Sequence, residues 1–331
     1  MKKTAAILLL TLILIITGCA LSGLHSQPLM LSVGAQTPQP AGEERLGWAF
    51  PVIAKVLPPR QEGERQVPGS TKTYTTAQID DLLNPPDWFP DEDAPRPASV
   101  MKGKGVVFAC GACHLMSGHG HPESADLRAL TATYIMEQMA DYKSGVRKDA
   151  AARMNAIAQG LSDADTRESA EWFAGLKPEP WTRVVEAAMV PKSYVGPGRM
   201  RFSLPEGGME PIGNRIITLP EDPARAGSRD PHSGFVAYVP PGSIAKGKAL
   251  VAGGNGKTVN CSICHGDNFQ GLANIPRLAG IHPVYIFRQL YIFKNGDRNG
   301  IGAQLMKKTV ANLTEDDMLN ISAYMASQMS K

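Results

Sequence analysis

Two five-residue runs stand out by residue type and spacing: Cys110-Gly111-Ala112-Cys113-His114 and Cys261-Ser262-Ile263-Cys264-His265. Two thiols separated by two residues, with a histidine directly after the second, form the pattern in which the sulfurs add across two vinyl groups of a haem and the imidazole ligates its iron. The spacer sets the sulfur separation, and the adjacent histidine places its ring beneath the metal. A lone Cys-x-x-Cys also serves as a redox dithiol or as half of a zinc site. Two copies, each followed by histidine, account for four of the five cysteines and favour two covalently bound haem c groups. On this reading Cys110, Cys113, Cys261 and Cys264 are the attachment points, and His114 and His265 are iron ligands.

The flanking sequence repeats with the motifs. With Cys110 laid on Cys261 and no gap, Gly120 meets Gly271, Leu127 meets Leu278, Tyr134-Ile135 meets Tyr285-Ile286, Gln138 meets Gln289, Lys143 meets Lys294, Gly145 meets Gly296 and Arg147 meets Arg298. After one inserted residue Met154 falls on Met306, Leu161 on Leu313 and Asp165 on Asp317. The iron needs a ligand on its other face, and a thioether is a soft, neutral donor that favours the ferrous state. Most methionines are core filler, but the repeat singles out Met154 and Met306, in the loop before each last helix, as the second axial ligands. Met136 and Met139 read as core. His119, His121, His232 and His282 read as loop or surface histidines. Met200 and Met209 reach an iron only if the segment that carries them folds over a haem face.

Elements that position these groups are helical. Ser243 is a candidate cap for a helix through Ala245, Leu250 and Val251. Tyr285, Ile286, Gln289, Leu290 and Phe293 recur at helical spacing. Thr314 caps a last helix with acids in its first turn, and Ser162 does the same in the first repeat. Trp172 and Tyr324 correspond as core aromatics where the terminal helix crosses the first. These patterns define a mainly α chain with haem units at 99–177 and 242–331. A Pro- and Gly-rich irregular connector spans 178–241, long enough to pack on the units. A Pro-rich lead-in at 74–98 precedes the first unit; Trp88 and Phe89 are expected to pin it there. Residues 19–73 read as a flexible tether.

The amino terminus has a basic start, an apolar stretch from Ala5 to Ile16 and small residues before Cys19, as a secretory signal over residues 1–18 would. Ile16-Thr17-Gly18-Cys19 resembles the lipobox of bacterial lipoproteins. That resemblance implies cleavage before Cys19 and lipid attached to it, so that the mature protein is anchored rather than spanning, facing the periplasm or cell exterior, on the outer membrane in a Gram-negative host. Loss of Lys2 and Lys3 takes the formal net charge from +3 to +1. A near-neutral chain gives no argument for nucleic acid.

Both units resemble class I cytochrome c domains, and their tandem arrangement is similar to the di-haem cytochrome c4 group. The second unit carries the pattern Ile275-Pro276-Arg277-Leu278-Ala279-Gly280, Tyr285, Gln289-Leu290, Phe293-Lys294-Asn295-Gly296, Met306 and Leu313-Thr314-Glu315-Asp316-Asp317. The resemblance implies that the Pro276 carbonyl accepts a hydrogen bond from His265, and that Met306 is the distal ligand. In the first unit Ala125 stands where the second has Pro276. The orienting bond of the first haem is therefore unassigned, with Pro122 as a shifted substitute, and the two haems are expected to differ in potential. The resemblance implies a one-electron carrier and no enzyme, serving redox partner proteins in a periplasmic or cell-surface chain. A haem subunit of a membrane-associated dehydrogenase complex is the alternative. A di-haem peroxidase or a gas sensor would need an open iron site.

Overall fold

The computed structural model describes residues 46–60 and 62–329. The signal segment, Cys19 and most of the expected tether lie outside the described residues. The described chain opens on Leu46–Phe50, and this stretch is not tether. Leu46, Trp48, Ala49 and Phe50 are buried in the core of the second haem unit, with the Trp48 ring 4.5 Å from that of Phe287. An apolar run in a polar segment gains stability wherever it finds an apolar face, at roughly 1.5–3 kcal/mol for each large side chain buried.

The lead-in holds a two-stranded ribbon, β1 (Glu64–Arg65) with β2 (Tyr74–Thr75), followed by α1 (Thr76–Asp80). Thr75 and Gln78 form a reciprocal capping box on α1. Leu82 and Leu83 carbonyls bind the first unit at Ala109 and Gly103. Trp88 and Phe89, expected on the first haem unit, instead meet the connector. Trp88 Nε1 donates to the Ser228 carbonyl at 2.7 Å, and the Phe89 ring lies 4.0 Å from that of His232.

The first unit comprises α2 (Ala98–Met101), α3 (Cys110–His114), α4 (Ala132–Ser144), α5 (Arg153–Gly160) and α6 (Asp163–Gly175). Ser162 caps α6 by accepting from the Asp165 amide.

The connector carries β3 (Thr182–Glu186), β4 (Met189–Pro191), β5 (Ser193–Val195), β6 (Arg201–Ser203), β7 (Met209–Pro211), β8 (Ile217–Pro220), α7 (Pro223–Gly227) and β9 (Phe235–Val239). It is thus more regular than its composition suggests. Strand β9 is central, parallel to β3 and antiparallel to β8, while β4 pairs with β7 and β5 with β6. Trp181, just before β3, stacks on His119 of the first unit at 4.2 Å, and Thr182 Oγ1 lies 2.8 Å from His282 Nδ1 of the second. The connector therefore touches both units.

The second unit comprises α8 (Ser243–Val251), α9 (Ser262–His265), α10 (Pro283–Asn295), α11 (Gln304–Val310) and α12 (Glu315–Ser327). Pro283 opens α10 and Gly296, at φ 83°, closes it; Val284, Ile286, Phe287, Leu290 and Phe293 are buried. Thr314 and Asp317 form a capping box on α12. Ser243 does not cap α8: Gly242 is the N-cap, and Glu186 of β3 accepts the free Ile244 amide at 2.7 Å. A carboxylate suits that position, because the first amides of a helix lack internal partners and carry positive potential. Helices α8 and α12 cross closely at Gly247, where a Cβ would overlap the Asn320 carbonyl. Tyr324 packs at this crossing. Trp172 holds a comparable edge position in the first unit, donating to the Ala94 carbonyl at 3.2 Å. No helix among the described residues is long and apolar enough to cross a membrane.

Candidate functional site

Both five-residue motifs form a single helical turn. In the first, Leu115 (φ 61°) stops α3 directly after His114. In the second, Gly266 (φ 80°) stops α9 directly after His265, and Asn260 Oδ1 accepts the Ser262 amide at 2.9 Å at its start. The loops that follow repeat bond for bond. The Gly120 amide donates to the His114 carbonyl and the Gly271 amide to the His265 carbonyl. Leu127 donates to Gly118, and Leu278 to Phe269. His121 and Ser124 form one isolated bridge, Leu272 and Ile275 its counterpart.

Each loop delivers one backbone carbonyl to its histidine. His114 Nδ1 lies 2.7 Å from the Ala125 oxygen, and His265 Nδ1 lies 2.8 Å from the Pro276 oxygen. The first unit thus keeps the orienting bond, and Pro122 is not needed as a substitute: a carbonyl belongs to any residue type, so alanine serves as well as proline. Gly120 and Gly271 make room for this. A Cβ at Gly120 would sit 2.5 Å from the Ala125 oxygen, one at Gly271 2.7 Å from the Ile275 oxygen, and both have positive φ. Carbonyl oxygens only accept, so each Nδ1 carries the proton and each Nε2 keeps its lone pair. Burial pushes both imidazoles below the usual histidine range, opposed by the carbonyl bond. Two neutral rings, each held by a backbone acceptor, have the form of metal-ligating histidines.

The remaining donors also fit covalent haem. All four motif cysteines are free and partly buried. Burial pushes the Cys110 and Cys261 thiols up to about 11. A redox dithiol has the opposite tendency, a lowered thiol pKa. Among the described residues no three His, Cys, Asp or Glu side chains converge as a bare-ion site would require. At the seam between the units, Arg147 and Arg298 are buried, and among the described residues neither has a carboxylate within ion-pair distance. Buried guanidinium groups need anionic company, and haem c brings two carboxylates.

That seam is reciprocal. Arg147 reaches Gln138 at 2.7 Å, Gln289 at 3.0 Å and the Tyr285 hydroxyl at 3.4 Å; Arg298 reaches Gln289 at 2.9 Å, Gln138 at 2.7 Å and the Tyr134 hydroxyl at 2.6 Å. The residues that the repeat places in register meet one another across it. Two ion pairs reinforce the contact: Arg277 with Asp126, and Arg288 with Glu123 at 2.6 Å.

Met154 and Met306, expected in loops, instead lie in the first turns of α5 and α11. Both are partly buried, and Met306 packs against the second core. Met136 and Met139 pack on the first core, Met200 packs with Leu115 and Trp181, and Met209 is exposed. His119, His121 and His282, expected as loop or surface residues, are buried. Nothing in the sequence marked the connector cation at the first motif: Arg229 donates to the Ala112 carbonyl, between the two cysteines.

The cytochrome c family profile matches residues 244–328. Cytochrome c-554(548) of Halomonas halodenitrificans is 37% identical over 78 residues, 23% of this chain and 94% of that protein. The chain belongs to the cytochrome c family. Cytochrome c4 of Stutzerimonas stutzeri is 24% identical over 235 residues, covering 67% of this chain and 85% of that protein. The crystal structure of reduced recombinant cytochrome c4 from Pseudomonas stutzeri aligns with a TM-score of 0.44 at 22% identity, over 66% of this chain and 92% of that one. With two repeated sites of this kind, the chain is a di-haem, cytochrome c4-like electron-transfer protein carrying two covalent haem c groups.

Proposed function

We propose that this cytochrome is a one-electron carrier whose two irons are each closed on both faces by the protein, His114 with Met154 and His265 with Met306. The observation that carries the reading is the matched pair of imidazoles, each fixed through Nδ1 by a loop carbonyl at 2.7 or 2.8 Å. Haem c, when bound, supplies exchange of a single electron between ferric and ferrous iron. The protein's part is to fix the ring, keep it neutral and limit solvent access. Gly120 lets the Ala125 carbonyl approach, Gly271 makes room for the Ile275–Pro276 turn that presents the other carbonyl, and α5 and α11 carry the two methionines at equivalent places in the repeat. We place the carrier outside the cytoplasmic membrane, exported by residues 1–18 and tethered by lipid on Cys19, where it meets redox partner proteins through small, transient contacts.

A carbon monoxide difference spectrum of the reduced protein, with haem counted on the same sample, tests this. Neither haem is expected to bind the gas. Ready binding by one of them would mean that its methionine is no firm ligand and would turn attention to peroxidase or sensor chemistry.

A further inference from the structure

Arg229 sits in the turn after α7, in the connector, with φ 58°, a backbone region that a side-chain-bearing residue adopts at a cost. This conformation accompanies a side chain directed into the protein. Nε donates to the Ile79 carbonyl at 2.8 Å, and Nη1 donates to the Ala112 carbonyl. Ala112 lies between Cys110 and Cys113, so the guanidinium is seated on the attachment loop itself. It also lies close enough to His121 to help hold that imidazole neutral.

The charge has no acidic partner among the described residues. Asp80, the carboxylate that acts on it, is engaged by Arg60 at 2.5 Å, and Asp230, next in sequence, is engaged by Arg225 at 2.6 Å. Arginine remains protonated even where burial lowers its pKa, as burial does here. Among the described residues the second unit has no counterpart. Ile263, which matches Ala112, is 71% exposed, and among the described residues no side chain donates to its carbonyl.

We infer that Arg229 is a charge-setting residue for the first haem site: seated on the Cys110–Cys113 loop, it raises the reduction potential there and leaves the second site unaffected. The inference rests on the two-haem reading above. Ferric iron carries one more positive charge than ferrous iron. A fixed cation beside the attachment loop therefore disfavours the oxidised form, and more strongly in a partly buried setting than in water. One-electron exchange between the two sites is thereby shifted toward reduction of the first, on the order of tenfold, or about 59 mV for a one-electron couple. The exchange moves one electron and needs no proton or further reactant.

The test is a redox titration of the full holoprotein followed in the haem spectrum, comparing wild type with R229Q and R229K. R229Q is expected to lower one of the two potentials and leave the other in place, and R229K, which keeps the charge, to hold both near the wild-type values. R229K still reports if R229Q fails to assemble. A guanidinium that only clamps Ile79 to Ala112 predicts that R229K, which lacks the fork reaching both carbonyls, moves as R229Q does. That result, unchanged potentials in folded R229Q, or equal movement of both components would overturn the inference. A haem count below two in the wild type would instead overturn the reading on which it stands.

Discussion

Around His265 the chain gathers a large apolar core. Leu46–Phe50 enters it from the amino terminus, Ile217, Leu219 and Val239 enter from the connector sheet, and α8 crosses α12 closely at Gly247. Around His114 the core is small: Val100, Met116, Leu130, Ile135, Ala170, Phe173 and Leu176, under an opening helix of one turn. The two Cys-x-x-Cys turns show the opposite contrast. Ala112 of the first is fully buried beneath connector and lead-in, whereas Ile263 of the second lies open. The same loop geometry can thus be held from within, by the unit's own core, or from without, by segments recruited from elsewhere in the chain.

The comparison can be broken most forcefully at the proposed attachment points. The pair C261S/C264S should lose one haem and, because that haem belongs to the larger core, lower the thermal midpoint of the whole chain. C110S/C113S should lose the other haem with a smaller drop. Equal drops in scanning calorimetry would show that core size does not decide which unit carries the fold. Next is the seam. D126N leaves the fully buried Arg277 side chain without its ion pair, at a cost of about 3–5 kcal/mol in urea unfolding. A third test is G247A, which presses a methyl group against the Asn320 carbonyl; a loss of roughly 1–3 kcal/mol is expected, confined to the second unit.

Acid titration gives a more graded effect. Burial, helped by the charges of Arg288 and Arg277, pushes His282 down to about 3. The unfolded side chain titrates near 6.5, so the unfolded state binds more protons between these values. Stability is full above about pH 6.5 and falls with pH below it, at about 1.4 kcal/mol per pH unit from this residue alone. His119 and His121, held low chiefly by burial, add in the same direction. H282F should flatten one share of the slope in denaturation midpoints measured from pH 7 to pH 4. The smallest effect is expected from P276A, which makes the second loop resemble the first. The carbonyl survives the change, so haem content and both potentials should hold to within a fraction of the R229Q shift.

Much of this site was legible in the sequence because its chemistry is carried by residue type. Cysteine and histidine at fixed spacing announce themselves, as do Ser162 and Thr314 as helix caps. The bond to His114 was not legible: its acceptor is the backbone of Ala125, and a carbonyl leaves no mark on residue identity. The connector sheet was hidden by strands of three to five residues set among prolines and glycines. Leu46–Phe50 looked like tether because a short apolar run has no partner until the fold supplies one. Met154 and Met306 were singled out by register rather than by local pattern, and register says nothing of whether the backbone there is loop or helix. Arg147 and Arg298 were in register too, yet only the structure shows that each reaches into the other's half.

That last contact has the form of a two-fold dimer interface written into a single polypeptide. In two separate chains, the four hydrogen bonds that cross between the halves would come apart on dilution, and the distance between the redox centres would depend on protein concentration. Fused in tandem, the halves meet at an effective concentration fixed by the connector. The seam therefore persists however dilute the carrier becomes, and selection on one half no longer constrains the other, leaving matched positions such as Ala125 and Pro276 free to diverge.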